Sequence, residues 1–159
     1  MQDIGIAVKR LQWRHHTEAS KQLAELGVSL PQWDVLRRLY ENPSASLHAL
    51  AQLTFQTDQS FGSLATRMVD RGLIERVPGP GRAVKHRLTA EGQRLRAAGQ
   101  ELVDEVFGQS FGGLTDHQLD QLGDLLDSAL GADSPWRDIR GATVATIHKG
   151  RTRHDATAP

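Results

Sequence analysis

The feature that most constrains the fold of this sequence is a pair of short helical patterns between residues 46 and 72. The first begins at Ser46, a good helix N-cap, and runs to Leu53 with apolar positions spaced for one helix face. A short polar connection leads to the second pattern, which begins at Thr57 or Asp58. The spacing predicts two helices joined by a short turn, a helix-turn-helix.

A basic hairpin follows this helix pair. Residues 73–77 and 84–88 alternate as strands do, and the connection between them is rich in Pro and Gly. Val84, His86 and Leu88 fall on one face of the second strand, and Lys85 and Arg87 fall on the other. These elements predict a mainly α fold with a small β-hairpin wing, that is, a winged helix-turn-helix.

Two helical patterns precede the unit. Residues 4–26 carry apolar side chains at three- and four-residue spacing and are followed by Gly27, which predicts a long first helix. Ser29 and Gln32 have the spacing of a capping box for a second helix, and Asn42-Pro43 ends that helix.

Two further helical patterns follow the hairpin. Thr89 is placed to cap a fifth helix, which we expect to reach Phe107 and to end at Gly108. Thr115 and Gln118 form a second capping box, and the sixth helix should continue to Leu130. Few apolar residues follow, so residues 131–159 are predicted to be a flexible or loosely packed tail.

Composition excludes several classes of protein. The sequence contains no cysteine, which excludes disulfides and thiolate metal sites. No run of eighteen apolar residues and no secretory signal is present, so we expect a cytoplasmic protein. The seven histidines lack a ligand spacing, and we predict no metal and no cofactor.

The net charge is zero, but the charges are segregated along the chain. Residues 57–90 hold six basic and three acidic side chains, whereas residues 91–130 hold two arginines and eight acidic side chains. The basic part would attract phosphates and the acidic part would repel them. This segregation favours a DNA-binding region formed by helix four and the hairpin.

Helix four has two distinct faces. Phe61, Leu64, Ala65 and Met68 form its apolar side, which leaves a polar side consisting of Gln59, Ser60, Ser63 and Arg67. Gly62 lies within this helix at a cost of about 1 kcal/mol relative to Ala, which close approach of the backbone to a DNA groove would explain. An arbitrary local sequence is the alternative explanation.

Several segments resemble the multiple-antibiotic-resistance-regulator (MarR) family of bacterial repressors. They are Leu30-Pro31-Gln32-Trp33-Asp34-Val35-Leu36 in helix two, residues 47–53, the stretch from Arg67 to Arg76, and Leu88-Thr89-Ala90-Glu91-Gly92. The resemblance implies a homodimer on a palindromic operator and a small ligand that relieves repression. It divides the chain into a DNA-binding part at 30–90 and dimerisation helices at 1–28 and 90–130, within one domain at 1–130.

If helix four enters the major groove, its polar side chains can reach bases, and Gln59 can pair with adenine. Arg82 at the hairpin tip would enter the minor groove, while Arg76, Lys85 and Arg87 would contact phosphates. The wing of the resembled family usually carries an acidic residue near the tip, and this sequence has Pro80 there. The acid that would hold an arginine in place is therefore missing from the tip.

The resemblance also implies a site for an aromatic effector near the hinge between the dimerisation and DNA-reading parts. Trp13 and His16 on helix one and Trp33 on helix two are the candidates. The alternative is that both tryptophans belong to the core and that the histidine is packed or solvated.

Two other function classes have some support in the sequence. Gly108-Gln109-Ser110-Phe111-Gly112 matches the G-x-S-x-G pattern of a hydrolase nucleophile. It joins two predicted helices instead of following a strand, so we predict that the protein is not an enzyme. A winged helix used only for protein–protein contact or dimerisation is the alternative to DNA binding.

Overall fold

The computed structural model describes residues 1–79 and 84–131. Contacts divide the chain into two units, Met1–Gly112 and Gly113–Pro159. The elements in chain order are α1 (Gln2–Glu25), α2 (Leu30–Glu41), α3 (Leu47–Leu53), α4 (Asp58–Asp70), β1 (Ile74–Pro78), β2 (Val84–Leu88), α5 (Ala90–Phe111) and α6 (Asp116–Leu130). Arg82 and residues 132–159 of the predicted tail lie outside the described residues.

The N-termini of α2 to α6 are set by hydroxyl caps. Ser29 and Thr115 form the two predicted capping boxes, each with the side-chain amide of the residue three positions later. Ser46, Thr57 and Thr89 each accept a hydrogen bond from the backbone N–H three residues on. Such a cap contributes about 1 kcal/mol, which explains why the predicted starts are confirmed to within a residue or two.

The predicted end of the fifth helix is wrong. α5 continues through Gly108 to Phe111, because contacts with α1 hold its last turn. Ser110 hydrogen-bonds to Arg14 and His15, and the Phe111 ring packs against His15 with centroids 5.3 Å apart. The glycine lies in ordinary helical conformation and does not terminate the helix.

The core of the first unit surrounds α2. This helix packs against α1, α3, α5 and β2, while α4 packs against α3 and β1. Trp33 is only 3% exposed, and its indole N–H donates to the Arg96 carbonyl of α5 at 3.2 Å. Gly99 makes this packing possible, because a Cβ there would overlap the Trp33 ring. α2 therefore lies between the two long helices, α1 and α5, and the first helix of the helix-turn-helix, α3.

The two strands form an antiparallel hairpin with an inner and an outer face. Ile74 pairs with Leu88, and Arg76 pairs with His86, on the face that buries Ile74, His86 and Leu88. Glu75 pairs with Arg87 on the opposite face. The predicted alternation of the second strand is thereby confirmed.

Both units expose apolar helix surface. On α1, Ile4, Ile6, Val8 and Trp13 are 49–70% exposed. Taken by itself, α6 has no buried residue and exposes Leu125, Leu126 and Leu130. Within residues 1–79 and 84–131, no helix is both long enough and apolar enough to cross a bilayer.

Candidate nucleic-acid interface

The outer face of α4 is polar and accessible. Phe61, Leu64, Ala65 and Met68 are buried as predicted. Gln59, Ser60, Ser63 and Arg67 are all exposed. Gln59, Ser63 and Thr66 follow one another at spacings of four and three, so they form one stripe along the helix. We call these three residues the α4 stripe.

Hydrogen bonds within the helix orient two members of the stripe. The Ser63 hydroxyl donates to the Gln59 carbonyl at 3.1 Å, and the Thr66 hydroxyl donates to the Gly62 carbonyl at 3.0 Å. With their hydrogens directed into the helix, both oxygens remain as acceptors for incoming donors such as base amino groups. Sequence reasoning missed Thr66, although its position seven residues after Gln59 was the signal that could have identified it.

Arg76 connects the hairpin to α4. Its guanidinium donates to the Thr66 hydroxyl at 3.4 Å, so an exposed cation of β1 lies directly beside the α4 stripe. The same arginine faces His86 across the strand pair. Burial, reinforced by the positive charge of Arg76, lowers the pKa of His86 and so favours the neutral form of its ring.

Lys85 and Arg87 lie on the opposite face of the hairpin from Arg76. Lys85 is half-buried and Arg87 is exposed. Arg87 donates twice to one carboxylate oxygen of Glu75, at 2.8 and 2.9 Å. The structure thus groups Arg76 with α4 and places the other two cations apart. Sequence reasoning missed Glu75, an acid that holds a wing arginine from the base of the hairpin.

Arg71 is a structural cation. Its guanidinium donates to the Gln32 side-chain oxygen at 2.9 Å and to the Gly27 carbonyl at 2.8 Å. It therefore ties the end of α4 to the turn between α1 and α2. This arginine counts toward the basic segment in the sequence, yet its Nη1 and Nη2 atoms each already donate within the chain.

The three candidate effector residues have different environments. Trp13 is 67% exposed on α1, and His16 is exposed beside it. Trp33 belongs to the core, as the alternative interpretation expected, whereas Trp13 does not. The structure therefore buries Trp33 and leaves the two α1 side chains at the surface.

A small open cleft of about 250 Å³ lies between α1 and α5, with Arg14, Glu18, Val106, Gln109 and Ser110 in its wall. His15 lies next to Ser110, with 2.7 Å between Nε2 and Oγ. Burial and the nearby Arg14 lower the pKa of His15. Ser110 is helical, so the G-x-S-x-G segment lacks the sharp strand-to-helix turn of a nucleophile elbow.

Across residues 1–79 and 84–131, no group of three or more His, Asp or Glu side chains is arranged to hold a metal ion. What the described surface offers instead is a helix with an accessible polar stripe beside a hairpin that carries cations. A convex helix of this kind fits the major groove of duplex DNA.

Comparison with known proteins agrees with this geometry. The MarR family model matches residues 26–83. The chain is 31% identical to the HTH-type transcriptional repressor IacR of Pseudomonas putida, over 74% of this chain and 72% of that protein. It is 34% identical to the homoprotocatechuate degradative operon repressor of Escherichia coli, over 69% and 76% of the two chains. The crystal structure of CouR from Rhodococcus jostii RHA1 bound to p-coumaroyl-CoA superposes with a TM-score of 0.73 at 26% identity, covering 80% of this chain and 91% of CouR.

Proposed function

Since this chain belongs to the MarR family of transcriptional regulators, we propose that it is a cytoplasmic, sequence-specific repressor that binds a palindromic operator as a homodimer. It would act by binding DNA and not by catalysis. The observation that carries the proposal is the position of Arg76, which is hydrogen-bonded to Thr66 and so brings the hairpin cation to the edge of the α4 stripe.

In this proposal, α4 lies in the major groove. Gln59 pairs with adenine, and the Ser63 and Thr66 oxygens accept from base amino groups. Ser60 and Arg67, on the flank of the helix, contact phosphate or a neighbouring guanine. The wing contributes phosphate contacts from Arg76, Lys85 and Arg87 and a minor-groove contact from Arg82.

The exposed apolar residues support the homodimer. Ile4, Ile6 and Val8 on α1 present apolar surface to solvent in the single chain, and so does the leucine group of α6. Such surface is typical of subunit contacts. A two-fold dimer carries two α4 helices about one DNA turn apart, which is why the operator should be an inverted repeat.

A small aromatic acid or its thioester is the proposed effector class. CouR was crystallised with p-coumaroyl-CoA, and the Escherichia coli relative is named for homoprotocatechuate degradation. Trp13 and His16 remain candidates for direct contact, whereas Trp33 would respond through the core that it shares with α5. Ligand binding would alter the spacing of the two α4 helices and so release the operator.

DNase footprinting on the intergenic DNA beside its own gene tests the proposal. We expect a protected inverted repeat whose occupancy falls steeply with salt and is lost when the right aromatic acid is added. Absence of a salt-sensitive complex at micromolar protein would favour a winged helix that serves only protein contact.

A further inference from the structure

His48 and Asp58 bring the beginnings of α3 and α4 together. The His48 Nδ1 atom lies 3.0 Å from both carboxylate oxygens of Asp58. Both side chains are open to solvent, at 66% and 68% exposure. Asp58 is the first residue of α4 and immediately precedes Gln59, so the imidazole stands at the entrance to the α4 stripe.

The pair leaves one ring nitrogen with a defined direction. A carboxylate can only accept, so Nδ1 carries the hydrogen of this bond. The opposite nitrogen, Nε2, is then held away from Asp58, on a side chain that is open to solvent. In the neutral ring Nε2 can only accept, and in the imidazolium it donates. A phosphate oxygen requires a donor and therefore selects the imidazolium.

Among the described residues of the helices that pack against α3, Asp58 is the ionic partner of His48. α3 packs mainly against α2 and α4. On α2, Asp34, Arg37, Arg38 and Glu41 pair with one another. On α4, Arg67 and Asp70 lie in the last turns, away from the Asp58 end.

From this geometry we propose that His48 is a further DNA-contacting residue, which Asp58 positions to donate from Nε2 to a backbone phosphate at the edge of the major groove. The proposal rests on the proposed function, because it assumes that α4 faces the operator. Because only the imidazolium can donate from Nε2, each contact requires one bound proton per half-site. Operator affinity must therefore rise as pH falls, through this residue.

The experiment uses the intergenic DNA fragment that footprinting identifies, labelled with a fluorophore. Fluorescence anisotropy titrations measure the affinity of the protein for this fragment between pH 8 and pH 6, at several salt concentrations. Wild type is compared with His48→Gln, His48→Arg and His117→Gln. His117 is the matched control, because it is exposed and occupies the same second position of a capped helix, in α6. Circular dichroism at each pH verifies that every variant is folded.

Wild type and His117→Gln should bind more tightly at pH 6 than at pH 8. His48→Gln should lose about tenfold in affinity at pH 6, with a salt slope smaller by about one per half-site. It should also lose most of the pH dependence. His48→Arg should bind tightly with little pH dependence, because its positive charge is permanent. Replacing Asp58 by Asn should shrink the effect of His48→Gln, since the ring is then no longer held in position.

If His48→Gln keeps the pH dependence and the salt slope of wild type, the inference is wrong while the proposed function stands. If His48→Gln lowers operator affinity equally in the wild-type protein and in the Asp58→Asn variant, the carboxylate does not position the ring. Should wild type form no salt-sensitive complex with the fragment, the proposed function fails, and this inference fails with it.

Discussion

Glu75 holds Arg87 across the hairpin, with the arginine Nε and Nη2 both directed at one carboxylate oxygen, 2.9 and 2.8 Å away. The pair lies on the outer face of the ribbon, where both side chains are solvent-accessible. Such a pair contributes at most about 1 kcal/mol to stability, so its main effect is on the direction and the net charge of the arginine.

We therefore expect Glu75→Gln to strengthen DNA binding. The change removes a negative charge and frees Arg87 for phosphate, so affinity for any duplex should rise and the salt slope should steepen by about one per half-site. Anisotropy titrations at several salt concentrations measure both quantities. Glu101→Gln, which removes an exposed charge from α5, is the control and should leave the slope unchanged.

Base reading and phosphate binding should separate between α4 and the wing. Gln59→Ala should lower the preference for one base pair per half-site by roughly tenfold and leave binding to random DNA nearly unchanged. Arg82→Ala, a prediction from the sequence alone, should weaken binding to most sequences. Competition against single-base operator variants and against random duplex measures the two effects. Equal losses on both kinds of DNA would contradict this division.

Gly62 offers a test of how close the backbone of α4 comes to DNA. A Cβ at this position meets no atom within 4 Å, so Gly62→Ala should stabilise the free protein by about 1 kcal/mol. The same methyl group should weaken operator binding if the helix backbone approaches the groove. Thermal unfolding and anisotropy together check the prediction. Unchanged affinity in a stabilised variant would show that the glycine has no role in groove approach.

Gly99 and Gly108 form a matched pair for the packing between α2 and α5. A Cβ at Gly99 would overlap the Cδ1 and Nε1 atoms of Trp33, a buried ring that cannot move aside. Gly99→Ala should therefore cost about 2 kcal/mol of unfolding free energy. Gly108→Ala has open space and should stabilise the helix, by up to about 1 kcal/mol. Urea denaturation measures the unfolding free energy of both variants. Equal changes in the two variants would contradict the close contact between Gly99 and the Trp33 ring.

Two histidines should make the fold sensitive to acid. Burial lowers the folded-state pKa of His15 and His86 below the ordinary value of 6.5. The unfolded chain then binds more protons, so their contribution is complete above pH 6.5 and is lost as pH falls through that value toward the folded pKa. Urea denaturation from pH 8 to pH 5 should show this decline. His86→Gln should reduce the slope, whereas the exposed His16→Gln should not.

The sequence predicts those features of the fold that depend on residues close together in the chain. Caps act within three residues and apolar periodicity within a few turns, so Ser29, Thr57 and Thr115 marked helix starts that the structure confirms. The alternation of residues 84–88 likewise predicted the inner and outer faces of β2. The exposed side of α4 followed from the same periodicity, with Thr66 as the omission.

Other features depend on partners far away in the chain. The end of α5 is decided by Arg14 and His15, about a hundred residues earlier, which is why a local glycine signal was misleading. Arg71 adds to the positive charge of residues 57–90, and only its bonds to Gly27 and Gln32 show that it is structural.

By itself, the sequence determined the order and type of the elements, the helix starts and the polar side of α4, because short-range hydrogen bonding and periodic burial decide these locally. Only the tertiary structure decided which cations are free and which are paired, how deep Trp33 lies, and which side chains share a surface. Those properties arise when strands and helices distant in sequence pack together, and no local pattern encodes the resulting distances.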